Sequence, residues 1–183
     1  MTQESRIAVI YTSKYGSTKR YAQWIAQKIG AKAFSITEFY ASTLDGYQTV
    51  LFGSSVHIGK VKGISFVEDN WAVLSKKQVI VFASTGAPKI EPKQSEVISN
   101  SLPAIICQCV KYFPLPGAYD YSKLDFKDKA LMNLGPYSML RLKAWFRRDQ
   151  KAKVQLSEFG KVQDWTSQEA VNPIVNCVKS AAV

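Results

Sequence analysis

Short apolar runs rich in β-branched residues recur along this chain, at Ile7–Tyr11, Val50–Phe52, Val79–Ala83 and Ala104–Val110, with a weaker one over Ala31–Ile36. They are nearly continuous rather than alternating, as expected of strands covered on both faces by helices. Between them, apolar residues fall at helical spacing. Ala22, Ile25, Ala26 and Ile29 repeat as i, i+3, i+4, i+7, and so do Ile64, Val67, Trp71 and Leu74. Each set puts an apolar stripe on one side of a helix. Val97, Ile98 and Leu102 mark a further helix, and Ala170, Val171, Ile174, Val175 and Val178 a last one. Strands alternating with helices require parallel pairing through right-handed crossovers. The fold class is therefore α/β: a doubly wound, five-stranded parallel sheet in the order 2-1-3-4-5.

Two stretches strain that pattern. The last helix opens with Thr166-Ser-Gln-Glu169, a capping-box pattern, yet contains Pro173. An interior proline costs about 3 kcal/mol, so the helix either bends there or starts at Asn172-Pro173. Residues Tyr112–Lys161 are too many for a simple connection. They hold a helical piece at Leu124–Asn133, a Gly135-Pro136 break and a second piece from about Tyr137 to Arg148. This segment, about residues 122–161, reads as an insertion before the last helix or one splitting the final strand, within a single domain spanning residues 1–183.

A chain of 183 residues, 46% hydrophobic and 21% charged, is an ordinary globular protein that needs neither disulfide nor structural metal to build a core. Cys107 and Cys109 would share a face of a strand, too constrained locally for a disulfide. With Cys177 they read as buried free thiols in a reducing compartment. The polar start Met1-Thr-Gln-Glu-Ser5 lacks the apolar core of a signal peptide, and no run approaches a membrane span. The expected location is cytoplasmic, or peripheral at the inner membrane face.

The charge balance, 24 basic against 14 acidic residues or +10, invites nucleic acid, an anionic membrane or an acidic protein, and equally fits a plain basic surface. It is uneven: Arg141–Lys153 carries six Lys/Arg against Asp149 alone. If Ser138–Arg148 is helical, Met139, Leu142 and Phe146 share one face, with Arg141, Lys143, Arg147 and Arg148 mostly opposite. Such a helix can rest on an anionic bilayer, giving a peripheral contact through residues 137–153. The commoner arrangement, expected here, packs the apolar stripe on the domain.

In an open parallel sheet, ligands bind beyond the carboxyl ends of the strands, where strand order reverses. Three segments there carry hydroxyls and glycine: Thr12-Ser-Lys-Tyr-Gly-Ser-Thr18, Ser54-Ser-Val-His-Ile-Gly59 and Ser84-Thr-Gly-Ala-Pro88. The first feeds directly into a helix, whose N-terminal amides attract an anion. Thr12, Ser13, Ser17 and Thr18 add hydroxyls, and Gly16 allows a tight turn. Ser17 or Thr18 could alternatively serve only as an N-cap. The chain has no G-x-x-x-x-G-K-[ST], no G-x-G-x-x-G after the first strand, no G-x-S-x-G elbow and no cluster with metal-ligand spacing. His57 is the only histidine. It could exchange a proton at the site or be an ordinary surface residue.

At these residues a resemblance becomes specific. Thr12–Thr18, with Ala22 one turn on, resembles the FMN phosphate loop of flavodoxins. Val50-Leu-Phe-Gly-Ser-Ser-Val-His-Ile-Gly59, Lys127-Asp-Lys-Ala-Leu-Met132 and Asp164-Trp165 are similar to the branch around the quinone-linked, flavodoxin-like protoporphyrinogen oxidase. The likeness covers roughly residues 5–180. It implies a flavodoxin-like fold with FMN as cofactor, its phosphate held by Thr12, Ser13, Lys14, Tyr15, Gly16, Ser17 and Thr18. It places Ser54, Ser55, Val56, His57, Ile58, Gly59, Ser84, Thr85, Gly86 and Ala87 at the flavin ring. Tyr119 and Tyr121 could reach the ring from beyond the fifth strand, or merely stabilise a turn.

The function implied is an FMN-binding oxidoreductase passing electrons through the flavin, to or from a redox partner protein or a quinone or porphyrin-like substrate. A small electron carrier without its own substrate is the alternative within this class. Lys14 and Tyr15, where electron-transfer flavodoxins commonly read Thr-Gly-Asn-Thr, and the basic balance argue against it. From another class, Arg141–Lys153 could serve a nucleic-acid-binding module.

Overall fold

The computed structural model describes residues 6–57, 59–88, 90, 92–146, 150, 153, 156–157 and 161–180. Its strands are β1 (Ile7–Tyr11), β2 (Lys32–Ser35), β3 (Thr49–His57), β4 (Lys60–Val61), β5 (Gln78–Thr85), β6 (Lys111–Pro116), β7 (Ala118–Tyr119) and β8 (Gln163–Asp164). The helices are α1 (Ser17–Ile29), α2 (Ser65–Asp69), α3 (Trp71–Leu74), α4 (Pro92–Ser99), α5 (Ala104–Cys107), α6 (Phe126–Met132), α7 (Ser138–Phe146) and α8 (Asn172–Ser180). The chain forms two compact units, Met1–Gly117 with Trp165–Val183, and Ala118–Asp164.

The first unit is built on a parallel sheet in the order β2-β1-β3-β5-β6, with β4 added antiparallel to the end of β3. Counted among the parallel strands alone, this is the 2-1-3-4-5 order expected. Alternation along the strands divides the core in two. Val9, Leu51, Ile80 and Phe82 point to one face, where Tyr21, Ala22 and Ile25 of α1 and Ile174, Val175 and Val178 of α8 cover them. Ala8, Ile10, Val50, Phe52, Val79 and Val81 point to the other, under Val67, Leu74, Ile98 and Ile106. Burial on both sides is why the strands read as unbroken apolar runs.

The final strand is not where the apolar run put it. Pro103 precedes Ala104–Cys107, and its carbonyl accepts from the N–H groups of Ile106 and Cys107 at 2.9 Å each. Proline suits a helix start, so Ala104–Cys107 becomes the helical turn α5 and the strand begins at Lys111. β6 contains Pro114 and Pro116, tolerable because it pairs only with β5 at the sheet edge. The expectation of buried thiols changes accordingly: Cys109 is exposed, Cys107 and Cys177 are half-buried, and all three are free.

Ile64–Leu74 is likewise two short helices, split where the Asn70 side chain donates to the Phe66 carbonyl at 2.8 Å. At the C-terminus the second alternative holds. A 3-10 turn over Glu169–Val171 leads into α8 at Asn172, so Pro173 lies in the first turn, where a missing N–H costs nothing. The cap is shifted by one residue. Ser167 Oγ accepts from Ala170 N–H at 3.3 Å, while Thr166 accepts from Arg20 at 2.9 Å.

In the second unit β7 and β8 pair antiparallel. Asp125 caps α6 by accepting from Asp128 N–H at 2.8 Å. Gly135-Pro136 does not break the helical run: Asn133–Tyr137 forms a π-turn carrying α6 into α7. Ser138 Oγ donates toward the carbonyls of Leu134 and Gly135 there, at 2.8 Å each, as is common where a π-bulge upsets the ladder. The α7 stripe, expected to pack on the domain, is exposed at Met139, Leu142 and Phe146, and Ala144 is buried among the helix's described side chains. Arg147, Arg148 and most of the stretch to residue 153 lie outside the described residues.

Candidate functional site

β1 releases the chain at Thr12, whose N–H donates to the Gly53 carbonyl of β3 at 2.9 Å. Thr12 and Ser13 are half-buried, and Lys14, Tyr15 and Gly16 stand exposed as the crown of the loop. The Lys14 ammonium lies 5.1 Å from the centre of the Tyr15 ring. Ser13 Oγ accepts from Gly16 N–H at 3.1 Å, closing the turn. Gly16 precedes α1 with φ 98° and ψ −23°. A Cβ there would meet nothing within 4 Å, so glycine is required for its left-handed backbone and not for space.

The N-cap alternative for Ser17 and Thr18 fails on this geometry. Gly16 holds the cap position, α1 has no side-chain cap, and both hydroxyl residues are inside the first turn. The helix therefore opens with its first amides uncapped by any side chain, beside the Ser13 hydroxyl. Thr18 has a different task. It is 1% exposed, and its hydroxyl lies 2.9 Å from that of Ser84. That bond ties the first turn of α1 to the end of β5.

Ser54, Ser55, Val56 and His57, expected in a loop, are strand residues. β3 continues through them because Ser54 and Ser55 pair with Ala83 and Ser84 of β5. Val56 and His57 then pair with Val61 and Lys60 of β4. The Ser54 hydroxyl is fully buried and donates to the Lys62 carbonyl, so the polar run that looked like a strand end is satisfied inside the sheet. Gly59 turns the hairpin at φ 69°, and His57 is exposed near its tip. Ile58 lies outside the described residues. Thr85 Oγ1 donates to the Leu115 carbonyl at 3.3 Å. Gly86 is exposed and Ala87 half-buried just beyond.

The structure thus gathers the Thr12–Thr18 loop, the β3–β4 hairpin and the end of β5 at one rim of the sheet. Tyr119 belongs to the other unit, in β7 opposite Gln163. Burial, and secondarily its neighbour Tyr121, pushes the Tyr119 phenol up to about 12.

Three supporting positions escape a reading by motif. Gly117 approaches β5 so closely that a Cβ would fall 2.1 Å from the Thr85 carbonyl oxygen. Gly53 faces the Phe82 ring, which a Cβ would meet at 2.2 Å. Tyr21 of α1 donates to the Pro116 carbonyl at 2.7 Å, fastening the helix to β6. Only the glycines flanking Lys60-Val61-Lys62, Gly59 and Gly63, give a sequence signal for the hairpin.

Chemically, the first loop offers neutral donors: a helix start and the Ser13 hydroxyl, which accepts from Gly16 through its oxygen and can still donate its own proton. That set fits a phosphate monoester. Among the described residues no group of His, Cys, Asp and Glu could hold a metal ion.

Residues 8–139 match the model of the flavodoxin domain family. No curated protein matches the chain. Among solved structures, a flavodoxin from the domain Archaea is 21% identical, covering 50% of this chain and 74% of that one at TM-score 0.40. The flavodoxin, WrbA-like protein from Agrobacterium tumefaciens is 15% identical, covering 67% and 86% at TM-score 0.48. The Trp repressor binding protein from Bacillus subtilis is 18% identical, covering 61% and 83% at TM-score 0.48.

Proposed function

The chain belongs to the flavodoxin domain family, and from that premise we propose that it is an FMN-dependent oxidoreductase exchanging electrons with a quinone or porphyrin-like substrate. FMN is the cofactor that goes with this family. The observation that carries the reading is the Gly16 turn, which opens α1 without a side-chain cap beside the Ser13 hydroxyl.

When bound, FMN supplies one- and two-electron transfer. The residues that would hold its phosphate are Ser13, through its hydroxyl, and the start of α1, while Gly16, whose N–H already donates to Ser13, sets the turn between them. Thr12 and Lys14–Tyr15 would flank the phosphate. At the rim, Ser55–Gly59 and Ser84–Ala87 would form the ring's surroundings, mostly through backbone, because the hydroxyls of Ser54 and Thr85 already bond within the fold. His57, exposed on the hairpin, is the side chain that would exchange a proton with the solvent side of the site. Thr18 and Ser84 act one step back, by fixing the loop against β5.

Two features support a substrate-handling enzyme over a plain carrier: the additional Ala118–Asp164 unit and the basic balance of +10. The test is turnover. FMN-loaded protein, reduced by dithionite, is mixed with a short-chain quinone or, oxidised, with protoporphyrinogen, and flavin absorbance is followed. Rapid saturable exchange with one of them supports the reading. Exchange only with a small redox protein would return it to a carrier.

A further inference from the structure

The α7 helix is amphipathic the wrong way round for a helix that packs by its apolar stripe. Its exposed residues are Met139 (58%), Leu142 (53%), Trp145 (75%) and Phe146 (69%), while the small Ala144 is 9% exposed. On a helix turning 100° per residue, Leu142, Trp145, Phe146 and Met139 fall within one arc of about 120°. Ala144 lies almost opposite the middle of that arc. Arg141 and Lys143, both exposed, border the arc on its two sides. The Trp145 and Phe146 rings touch, their centres 4.5 Å apart. Just upstream the π-turn presents Leu134, 82% exposed.

Exposing that much contiguous apolar surface has a cost in water and marks a surface that is covered in use. The border residues indicate by what. An arc of Met, Leu, Trp and Phe with cationic side chains on both margins is the pattern of a helix lying in a membrane interface. There the aromatics sit at headgroup depth, and Arg and Lys extend sideways to anionic headgroups. A protein partner with an apolar groove would not require cations on both flanks. The stretch 126–146 carries Lys127, Lys129, Arg141 and Lys143 against Asp128 alone, and Asp128 is buried, so the outward-facing charge is all positive. No described helix is long and apolar enough to cross a membrane.

We infer that α7 is a membrane-surface anchor, docking this protein on bilayers rich in anionic lipid through the Met139–Leu142–Trp145–Phe146 face. The inference rests on α7 alone and is independent of the flavin assignment.

Flotation of the full chain with phosphatidylcholine vesicles, with and without about one third phosphatidylglycerol, tests it. Binding is expected to the anionic vesicles, weakening with salt. A basic residue near such a surface is worth about 1 kcal/mol, so Arg141→Gln with Lys143→Gln should weaken binding about 20- to 30-fold. Trp145→Ser with Phe146→Ser should abolish flotation at the same protein concentration. Both pairs are exposed, so an unchanged circular dichroism melt confirms that the variants remain folded. Absence of flotation, equal binding to neutral and anionic vesicles, or flotation untouched by the aromatic pair would overturn the inference. So would a concentration-dependent dimer in sedimentation that the aromatic pair dissolves, since the face would then belong to a second copy of this chain.

Discussion

Helices α1 and α7 carry the same kind of pattern, an apolar stripe beside basic residues, and the fold treats them oppositely. α1 presses Tyr21, Ala22 and Ile25 fully out of solvent against the sheet. α7 turns Ala144 inward and leaves Trp145 and Phe146 outside. The difference teaches that helical periodicity establishes that a helix has two faces but not which face the protein covers. For α1 the answer comes from the sheet: β1 and β3 offer Val9 and Leu51 to that side, where Tyr21, Ala22 and Ile25 pack against them.

The sharpest way to break this comparison is truncation in both helices. Ile25→Ala should destabilise the first unit by about 2–5 kcal/mol in urea unfolding, the usual cost of a large-to-small change in a packed core. Leu142→Ala should stay within about 0.5 kcal/mol, as exposed substitutions do. Comparable losses at the two sites would mean that α7 is packed after all.

Next in size is the backbone of the site. Gly53→Ala drives a Cβ into the Phe82 ring and should cost about 1–3 kcal/mol. Gly135→Ala in the π-turn between α6 and α7, where a Cβ meets nothing within 4 Å, should be neutral or stabilising by about 0.4–1 kcal/mol. Thermal melts of the two variants make the check, and a reversal of their order would contradict the packing described around β3 and β5.

A smaller effect is expected from charge at the rim. Electron uptake is favoured by positive neighbours, and a unit charge about 10 Å away shifts a one-electron potential by roughly 20–70 mV. Lys14→Gln and Lys60→Gln should therefore lower the flavin potential, more at low salt. Redox titration of both variants at two ionic strengths would show it, and unmoved potentials would detach those lysines from the site.

The smallest effect is that of Tyr119. Its folded pKa is raised to about 12 from 10.0, so its contribution to stability is fully present below pH 10. It is lost as pH rises toward 12, because the unfolded chain gives up the proton first. Ultraviolet titration should show one phenol ionising last, and Tyr119→Phe should remove that transition.

How much of this was legible beforehand depended on which force decided each element. The parallel order and the first loop were, because two-sided burial writes unbroken apolar runs and because hydroxyls and glycine gather just before a helix. β6 was not, because an edge strand tolerates Pro114 and Pro116 while Pro103 diverted the apolar run after it into a helix. The extension of β3 through Ser54 to His57 was hidden too, since the Lys62 carbonyl that satisfies Ser54 comes from a hairpin two residues wide. Gly117 and Gly53 are set by close approaches across the sheet, which no local pattern reports. The exposed face of α7 was visible as a face but not as exposed.

The central claim is that the Thr12–Thr18 loop holds the phosphate of FMN, and comparative calorimetry of FMN and riboflavin tests it most directly. A hydrogen bond to a charged group is worth about 1.5–3 kcal/mol, so Ser13→Ala should weaken FMN by that amount and leave riboflavin nearly unchanged. Unmodified protein should prefer FMN to riboflavin strongly. Equal affinities for the two ligands, or equal losses for both in Ser13→Ala, would show that the phosphate is not bound there and would contradict the account.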